Sequence, residues 1–527
     1  MADKIMRESS KDDLFSLTTT LKEKETDTKT KIDKKSFSGR IFQLMNNAAY
    51  SFLLVCAYGE LFPERDLVVA HSFGDGYFCH DYDESFAITQ EMIDKLKAKM
   101  KEFIDSDDEL ECSSMERETL VKYFQKKNFE EKIQILKAWR VDNVPIIKFR
   151  NFIDYRIEKI QNDKKYLQVF DLLKFHYGVL LRFPTLTNPD ELLEFRDRPI
   201  MWELIQEHKS WGSIINCSYI GDINKMIFTK EIESLKWVAE GLHDKKIGFI
   251  ADELIKGFPQ KRIVTIAGPS SSGKTTFAKR LAIHIRVNGY TTKVISMDDY
   301  FLDREEMIED ENGVKDFESI LALNLKLLVE RLGKLVKGEK VPERKFNFHL
   351  GKGEDNFSKQ IQLNPRDFII LEGIHGLNPA FTEMVGLDKI SRIYVSALTQ
   401  LNVDRHHRIS TSDNRLLRRM IRDYQYRGWS PTDTTAMWSK VREGEEKYIF
   451  PFQEMSDYMF NSALIYELPV LATYLKPLLA EIGGERDIEE EAGRLLRFLS
   501  FFYHFPGDRV PGVSIIREFI GNSDFRY

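Results

Sequence analysis

Gly268-Pro-Ser-Ser-Ser-Gly273-Lys274-Thr275 has the G-x-x-x-x-G-K-[ST] spacing of a phosphate-binding P-loop. The chemistry follows from the residue types. Glycines let the backbone curl until successive N–H groups point inward, at a helix start where negative charge is favoured. On this reading Gly268, Ser270, Ser271, Ser272, Gly273, Lys274, Thr275 and the adjoining Thr276 cradle the phosphates of ATP or GTP. The Lys274 ammonium reaches the β- and γ-phosphates, and the Thr275 hydroxyl ligates Mg²⁺. An ordinary Gly/Ser turn is the plainer alternative, and the flanks weigh against it. Arg262 to Ala267 is a short β-branched run with the character of a buried strand. Phe277 to Ile285 has helical spacing and stops near Asn288-Gly289, a typical helix end.

Two acids stand where such a site needs them. Lys293 to Met297 reads as the next strand, delivering Asp298-Asp299-Tyr300-Phe301 at its carboxyl end, the edge where α/β sheets place ligands. A carboxylate there can orient an acceptor hydroxyl and take its proton. Read alone, Asp298 could equally be a turn acid or helix cap. Phe368-Ile-Ile-Leu-Glu372 is a second apolar strand ending in an acid, and Glu372 at that edge can hold Mg²⁺ or its water shell. Downstream, Arg415, Arg419 and Arg422 fall at i, i+4 and i+7, on one helix face. Such a stripe repels itself unless anions sit against it, and guanidinium forks match phosphate oxygens. A solvated basic face and an RNA-tracking face are the other readings.

The elements that must carry these residues are strand-then-helix units, the pattern of a mostly parallel sheet with helices on both faces. The fold class expected is α/β, with an α+β region in front. Before Gly257-Phe258-Pro259 the chain reads differently. Ile41–Met45 and Ser51–Tyr58 are apolar and read as helix or buried strand, which periodicity cannot separate. Leu67–Phe73 and Tyr77–Cys79 flank Gly74-Asp75-Gly76, a hairpin signal. Thr89 caps a helix, Met115 to Trp139 is charged and helical, and Tyr177 to Pro184 is strand-like. Trp202, Trp211 and Trp237 are expected to anchor apolar patches of a helical connector over 191–259. His71, Cys79 and His80 would suit Zn²⁺, against the preferred reading as ordinary strand residues.

Length, charge and composition set the frame. The 527 residues exceed one typical domain, and 42% hydrophobic with 30% charged content is that of a soluble globular protein. A net charge of −6 argues against a chain that coats nucleic acid. The four cysteines show no C-x-x-C pairing, which suits a reducing, cytoplasmic setting. No apolar stretch of membrane-span length is read, and the first forty residues, polar and mixed in charge, are expected to be a mobile tail.

Together, Gly268 to Thr275, Ser296-Met-Asp298-Asp-Tyr-Phe301, Glu372-Gly-Ile and the Arg415-Leu-Leu-Arg418-Arg419-Met-Ile-Arg422-Asp423 run resemble the uridine kinase and phosphoribulokinase family over about 260 to 475. The front part, 41–190, resembles the second accessory domain of threonyl-tRNA synthetases, on His71-Ser-Phe-Gly-Asp-Gly-Tyr-Phe78 and the Gly-x-Leu-Leu-Arg-Phe-Pro closing run. The subgroup with that front domain is similar also at Tyr448 to Glu454 and Ser514 to Gly521. The resemblance implies roles: Asp298, not Asp299, as base toward the acceptor hydroxyl; Tyr300, Glu318 and Phe346 at the acceptor, Glu318 against ribose hydroxyls; Arg415, Arg418 and Arg419 on a lid over the phosphates, Arg418 toward the nucleotide.

Departures mark where that resemblance thins. Phe346-Asn-Phe stands where uridine kinases carry Tyr-Asp-Phe, and Gly351 rather than a histidine follows, His349 being displaced by two residues. Losing those polar partners weakens the expectation of a pyrimidine acceptor. Asp404-Arg-His-His-Arg408, an insertion, holds His406 and His407, expected as surface histidines. The function expected is ATP- and Mg²⁺-dependent phosphoryl transfer to a hydroxyl of a small molecule, a nucleoside 5′-OH foremost. A kinase for a sugar phosphate or pantothenate-like acid, and a nucleotide-gated tRNA-binding protein, are the alternatives. The last block, 481–527, is expected as helix Ile488 to Leu499 and a tail.

Overall fold

The computed structural model describes residues 39–186, 188–307, 315–316, 318–347 and 350–526. The expected tail over 1–40 therefore lies almost wholly outside the described residues, as does His349.

The chain opens with helix α1 (Gly39–Leu61), then hairpin β1 (Leu67–Phe73) and β2 (Gly76–Asp81), helix α2 (Gln90–Asp105), strand β3 (Glu111–Glu116), helices α3 (Arg117–Lys126) and α4 (Glu130–Ala138), and strands β4 (Asn143–Phe149), β5 (Phe152–Tyr155), β6 (Asp171–Phe175) and β7 (Gly178–Arg182). Their order is β1-β2-β7-β6 in one antiparallel sheet and β3-β4-β5 in another. Gly74, at φ +61°, makes the tight turn that pairs Phe73 with Gly76. Thr89 caps α2 by accepting from the Met92 N–H at 3.3 Å.

Helix α1 resolves the ambiguity at 41–58, and it corrects one expectation. By length and hydropathy it could cross a membrane, yet most of its apolar window is buried inside the protein. Ala49, Leu53, Leu54, Cys56, Ala57 and Tyr58 are fully enclosed, packed with β1 and α2. It is the core helix of the front region.

Helices α5 (Pro199–Ile214), α6 (Ile220–Thr229) and α7 (Ile232–Lys256) lead to the parallel sheet. Trp202 is buried there, stacked on His176, but Trp237 is 62% exposed and anchors nothing. On α7 the buried positions Leu235, Ala239, Ile247, Ile250, Ala251 and Leu254 trace one helical face, and Trp237 lies off it.

The second half runs β8 (Ile263–Ala267), α8 (Lys274–Val287), β9 (Thr291–Ser296), α9 (Leu325–Val336), hairpin β10 (Val341–Asn347) and β11 (Lys352–Ile361), β12 (Asp367–Glu372), α10 (Pro379–Val385), β13 (Ile390–Ser396), α11 (Thr411–Tyr426), α12 (Pro431–Tyr448), β14 (Tyr458–Asn461), α13 (Glu467–Ala480), α14 (Arg486–Ser500) and α15 (Arg517–Ile520). Five strands form a parallel sheet in the order β14-β13-β8-β12-β9. All five residues of β8 are buried, as a central strand covered on both faces requires. The expected α/β class, with antiparallel α+β elements in front, is the architecture found.

The largest core cluster joins Leu120, Phe124 and Tyr155 from the front with Ile220 and Leu235 from the connector, Leu416 and Met420 on α11, and Leu495 and Phe498 on α14. Apolar packing thus runs from the front region through the connector and the parallel-sheet half to the C-terminal helices.

Candidate active site

β8 and α8 are joined by residues 268–273, and the loop's shape comes from its glycines and serines. A Cβ on Gly268 would lie 2.1 Å from the Val395 carbonyl oxygen, so β13 excludes any side chain there. Gly273 takes φ +82° and Ser271 φ +58°, which curls the loop into a cradle. The N–H groups of Lys274 and Thr275, in the first turn of α8, have no intrahelical partner, and that of Thr276 is taken by Glu518. Ser271 Oγ, Ser272 Oγ and Glu372 Oε2 are buried without a hydrogen-bond partner among the described residues. Such a group of orphaned polar atoms, at a helix N-terminus beside a lysine, fits a nucleotide's phosphates with their cation.

Lys274 Nζ donates to the carbonyls of Gly268 at 2.8 Å and Pro269 at 3.1 Å. Burial lowers its pKa, opposed by Glu372, Glu518, Asp298 and Glu445. Thr275 Oγ1 donates to Glu372 Oε1 at 3.1 Å, so the two residues read as Mg²⁺ ligands are already neighbours. β12 pairs with β8 and β9, and this brings Glu372 level with Ile266 and Ser296. Burial raises the Glu372 carboxyl, against the pull of Lys274.

Asp298 lies in the single turn that follows β9, its N–H held by Ser296 Oγ at 3.3 Å. Asp298 is exposed, yet the protein around its carboxyl partly desolvates it. This raises its carboxyl, opposed by Lys274 and reinforced by Asp299. Asp299 points elsewhere, paired with Lys345 at 2.8 Å. Glu318 lies against Gly444, and its carboxyl is raised by burial and by Glu445. Tyr300 and Phe346 are buried in one aromatic layer with Phe301, whose ring centroid is 5.5 Å from that of Phe346. Gly351, at φ +67°, sits in the turn between β10 and β11, where a Cβ would press on the Arg304 side chain.

The arginines of α11 do have anions against them, and these are carboxylates that the sequence does not point to. Arg415 makes a bidentate pair with Glu445 on α12, and Glu445 also accepts from the Ser270 N–H at 3.0 Å. Arg418 is fully buried, bound to Glu467 and to the carbonyls of Ser271 and Ser462. Arg419 reaches Ser270 Oγ at 2.8 Å and Asp423 at 3.1 Å. Arg422 pairs with Asp423. Three of these arginines therefore touch the loop, Arg415 and Arg419 at Ser270 and Arg418 at Ser271, whereas Arg422 is tied to Asp423. Charge spacing alone could have shown that the stripe needs counter-anions; nothing in it names Glu445 or Glu467, which lie 30 and 49 residues from their partners.

Away from this cleft, His71, Cys79 and His80 do not converge. Cys79 Sγ donates to the Tyr77 carbonyl, and His80 is held between the Asp81 carbonyl and the Lys209 ammonium. Burial pushes the His71 imidazole down to about 3. Among the described residues, no three His, Cys, Asp or Glu side chains are grouped to hold a metal. His406 and His407, expected at the surface, are interior: Nδ1 of His406 lies 2.9 Å from Asp154, and His407 pairs with Asp404 at 2.9 Å and stacks on Tyr155. The insertion that carries them folds back onto β5 and α4, which is why they are covered.

Residues 263–465 match the phosphoribulokinase / uridine kinase family. That stretch holds the P-loop and all five strands of the parallel sheet. Curated relatives include the uridine kinases of Brevibacillus brevis, 26% identical over 196 residues, and of Halalkalibacterium halodurans, 29% identical over 196 residues. Each alignment covers 37% of this chain and 82% or 83% of the relative. Among solved structures, a possible uridine kinase of Bacillus stearothermophilus is similar at 16% identity and TM-score 0.29, over 41% of this chain and 98% of that one. The front region, the connector helices and α14 and α15 lie outside the kinase match.

Proposed function

We propose that the protein transfers the γ-phosphoryl group of ATP to a hydroxyl of a small molecule, a nucleoside 5′-OH foremost. The observation that carries this reading is the convergence of Asp298, Glu372 and Lys274 on one cleft at the carboxyl edge of the parallel sheet. The loop and Glu372 serve any nucleotide site; a second acid beside them is what an attacking hydroxyl needs.

Roles follow from position. The cradle from Gly268 through Ser270, Ser271, Ser272 and Gly273 to Thr276 binds phosphate through backbone N–H groups and hydroxyls. Lys274, Arg415 and Arg419 spread the charge that develops on the transferring group. Thr275 and Glu372 are the residues that would hold Mg²⁺, which when bound neutralises charge between the phosphates. Asp298 takes the acceptor proton, a role suited by a carboxyl raised toward the working pH. Arg418, bound to Glu467 and Ser462, positions the loop from behind. Glu318 faces the acceptor with Tyr300 and Phe346 lining its floor. The match to uridine kinases favours a nucleoside, while Phe346 without a hydroxyl leaves the base to be read by other groups.

On this reading the kinase domain runs over about 260–480. Residues 41–190 form an accessory domain, 191–259 a helical connector and 481–526 a C-terminal extension of a cytoplasmic enzyme. ADP release measured against a panel of nucleosides, sugar phosphates, pantothenate-like acids and tRNA tests it. Stimulation by a nucleoside is the expected result. Stimulation by another hydroxylated metabolite moves the acceptor; a tRNA mobility shift with no stimulated ADP release overturns the transferase reading.

A further inference from the structure

Residues 510–526 lie beyond the kinase match, yet they pack directly on the nucleotide cradle. Ile515 Cγ2 would be 2.6 Å from a Cβ on Gly273, so the extension abuts the loop. Phe519 is fully buried beneath the Arg418 guanidinium, 5.0 Å from ring centroid to Cζ, and the Ile520 carbonyl accepts from Gln425 on α11. Between these two anchors sits Glu518. Its Oε2 accepts from both the Thr276 N–H at 3.0 Å and the Thr276 hydroxyl at 2.6 Å. Thr276 stands in the first turn of α8, where the N–H groups and the helix dipole favour any anion. A carboxylate and a phosphate are interchangeable partners for such donors, and one pair of donors cannot serve both. Glu518 also adds negative charge within reach of Lys274 and Glu372.

We propose that Glu518 is a built-in competitor for the phosphate subsite at Thr276, resting on the nucleotide-binding reading above. Nucleotide binding displaces its carboxylate, so the extension sets the dissociation constant. The attachment of the same segment to Arg418 and Gln425 ties that displacement to α11, the helix of the lid.

The test is a binding titration of the full chain with Mg·ATP and, separately, with inorganic tripolyphosphate, for wild type, E518Q, E518A and the control D524N in the same segment. E518A tightens both ligands by about tenfold and E518Q by less, the size expected of an anion released from a helix N-terminus. D524N matches wild type. Thermal unfolding without ligand confirms that each variant is folded, and E518Q, which keeps the side-chain shape, carries the test if E518A does not fold. Unchanged or weaker binding in both Glu518 variants of a protein that does bind Mg·ATP overturns the competition and leaves the kinase reading standing. No Mg·ATP binding by any form overturns both.

Discussion

Two clusters of charge, one behind the insertion and one at the P-loop, treat their polar groups in opposite ways. Behind the insertion, Lys132 bonds both oxygens of Asp154, Asp404 takes Tyr155, His407 and the backbone N–H groups of His406 and His407, and Arg405 clamps Glu131. Burial alone would raise these carboxyls. Instead Lys132 and the two histidines hold Asp154 down at about 2, and His407 and Lys132 hold Asp404 well below the carboxylate range. At the P-loop, where Glu318 and Glu372 are half-buried and Asp298 is exposed, desolvation still wins. Glu372, Asp298 and Glu318 are all raised, and Ser271, Ser272 and Glu372 keep unpartnered oxygens. A cluster that satisfies itself holds the fold; one that leaves donors and acids short of partners is poised for a ligand.

The largest effect expected from this contrast is on rate. Asp298→Asn should lower turnover by roughly 10²–10⁴-fold, while nucleotide affinity stays within a few-fold and unfolding temperature does not fall. Steady-state ADP release with an equilibrium nucleotide titration checks it; unaltered turnover removes Asp298 from the mechanism. The matching change in the other cluster is Asp404→Asn. It leaves Lys132 and His407 short of an anion in the interior, and about 3–5 kcal/mol of stability should go, read as a loss of denaturation midpoint. Its effect on kcat per folded molecule should be small, because no group at the loop touches Asp404.

The pH dependence of stability should separate the clusters by sign. Asp154 has a depressed folded pKa, so its contribution is present above 3.8, the unfolded value, and is lost as pH falls toward 2. Glu372 has a raised folded pKa, so its linkage runs the other way: the fold is favoured with the proton on, and stability is given up as pH rises above 4.5. Glu372→Gln should therefore raise the neutral-pH unfolding temperature by roughly a degree or two, whereas Asp154→Asn lowers it and flattens the loss between pH 5 and 3. Unfolding scans from pH 3 to 7 on the three proteins decide this, and a fall in stability for Glu372→Gln would break the comparison.

The same contrast explains what could be read before the structure. The loop, Asp298 and Glu372 sit at strand ends, where short-range spacing and sheet topology fix position, so they were legible residue by residue. Glu445, Glu467 and Glu518 were not, because each meets its partner through packing of elements far apart in the chain, and a single glutamate on a helix carries no local signal. His406 and His407 were misplaced for the same reason. A polar insertion reads as surface until it is known that α4 and β5 cover it. Trp237 failed conversely, since residue type suggests burial but the helical face decides.

The smallest effect expected sharpens the assignment within the cleft. Asp299 neighbours Asp298 but is bound to Lys345 and, at 3.4 Å, to the Phe346 N–H. Replacing it by Asn removes no group that faces Lys274, so turnover at neutral pH should change by no more than about threefold. One specific trace should remain. Asp299 is among the charges that raise the Asp298 carboxyl, so its neutralisation should move the acidic limb of the pH–rate profile toward lower pH. A merely structural role for Asp299 would lower the whole profile without moving the limb. Equal damage from Asp299→Asn and Asp298→Asn would mean that the acid sits one residue further along the turn.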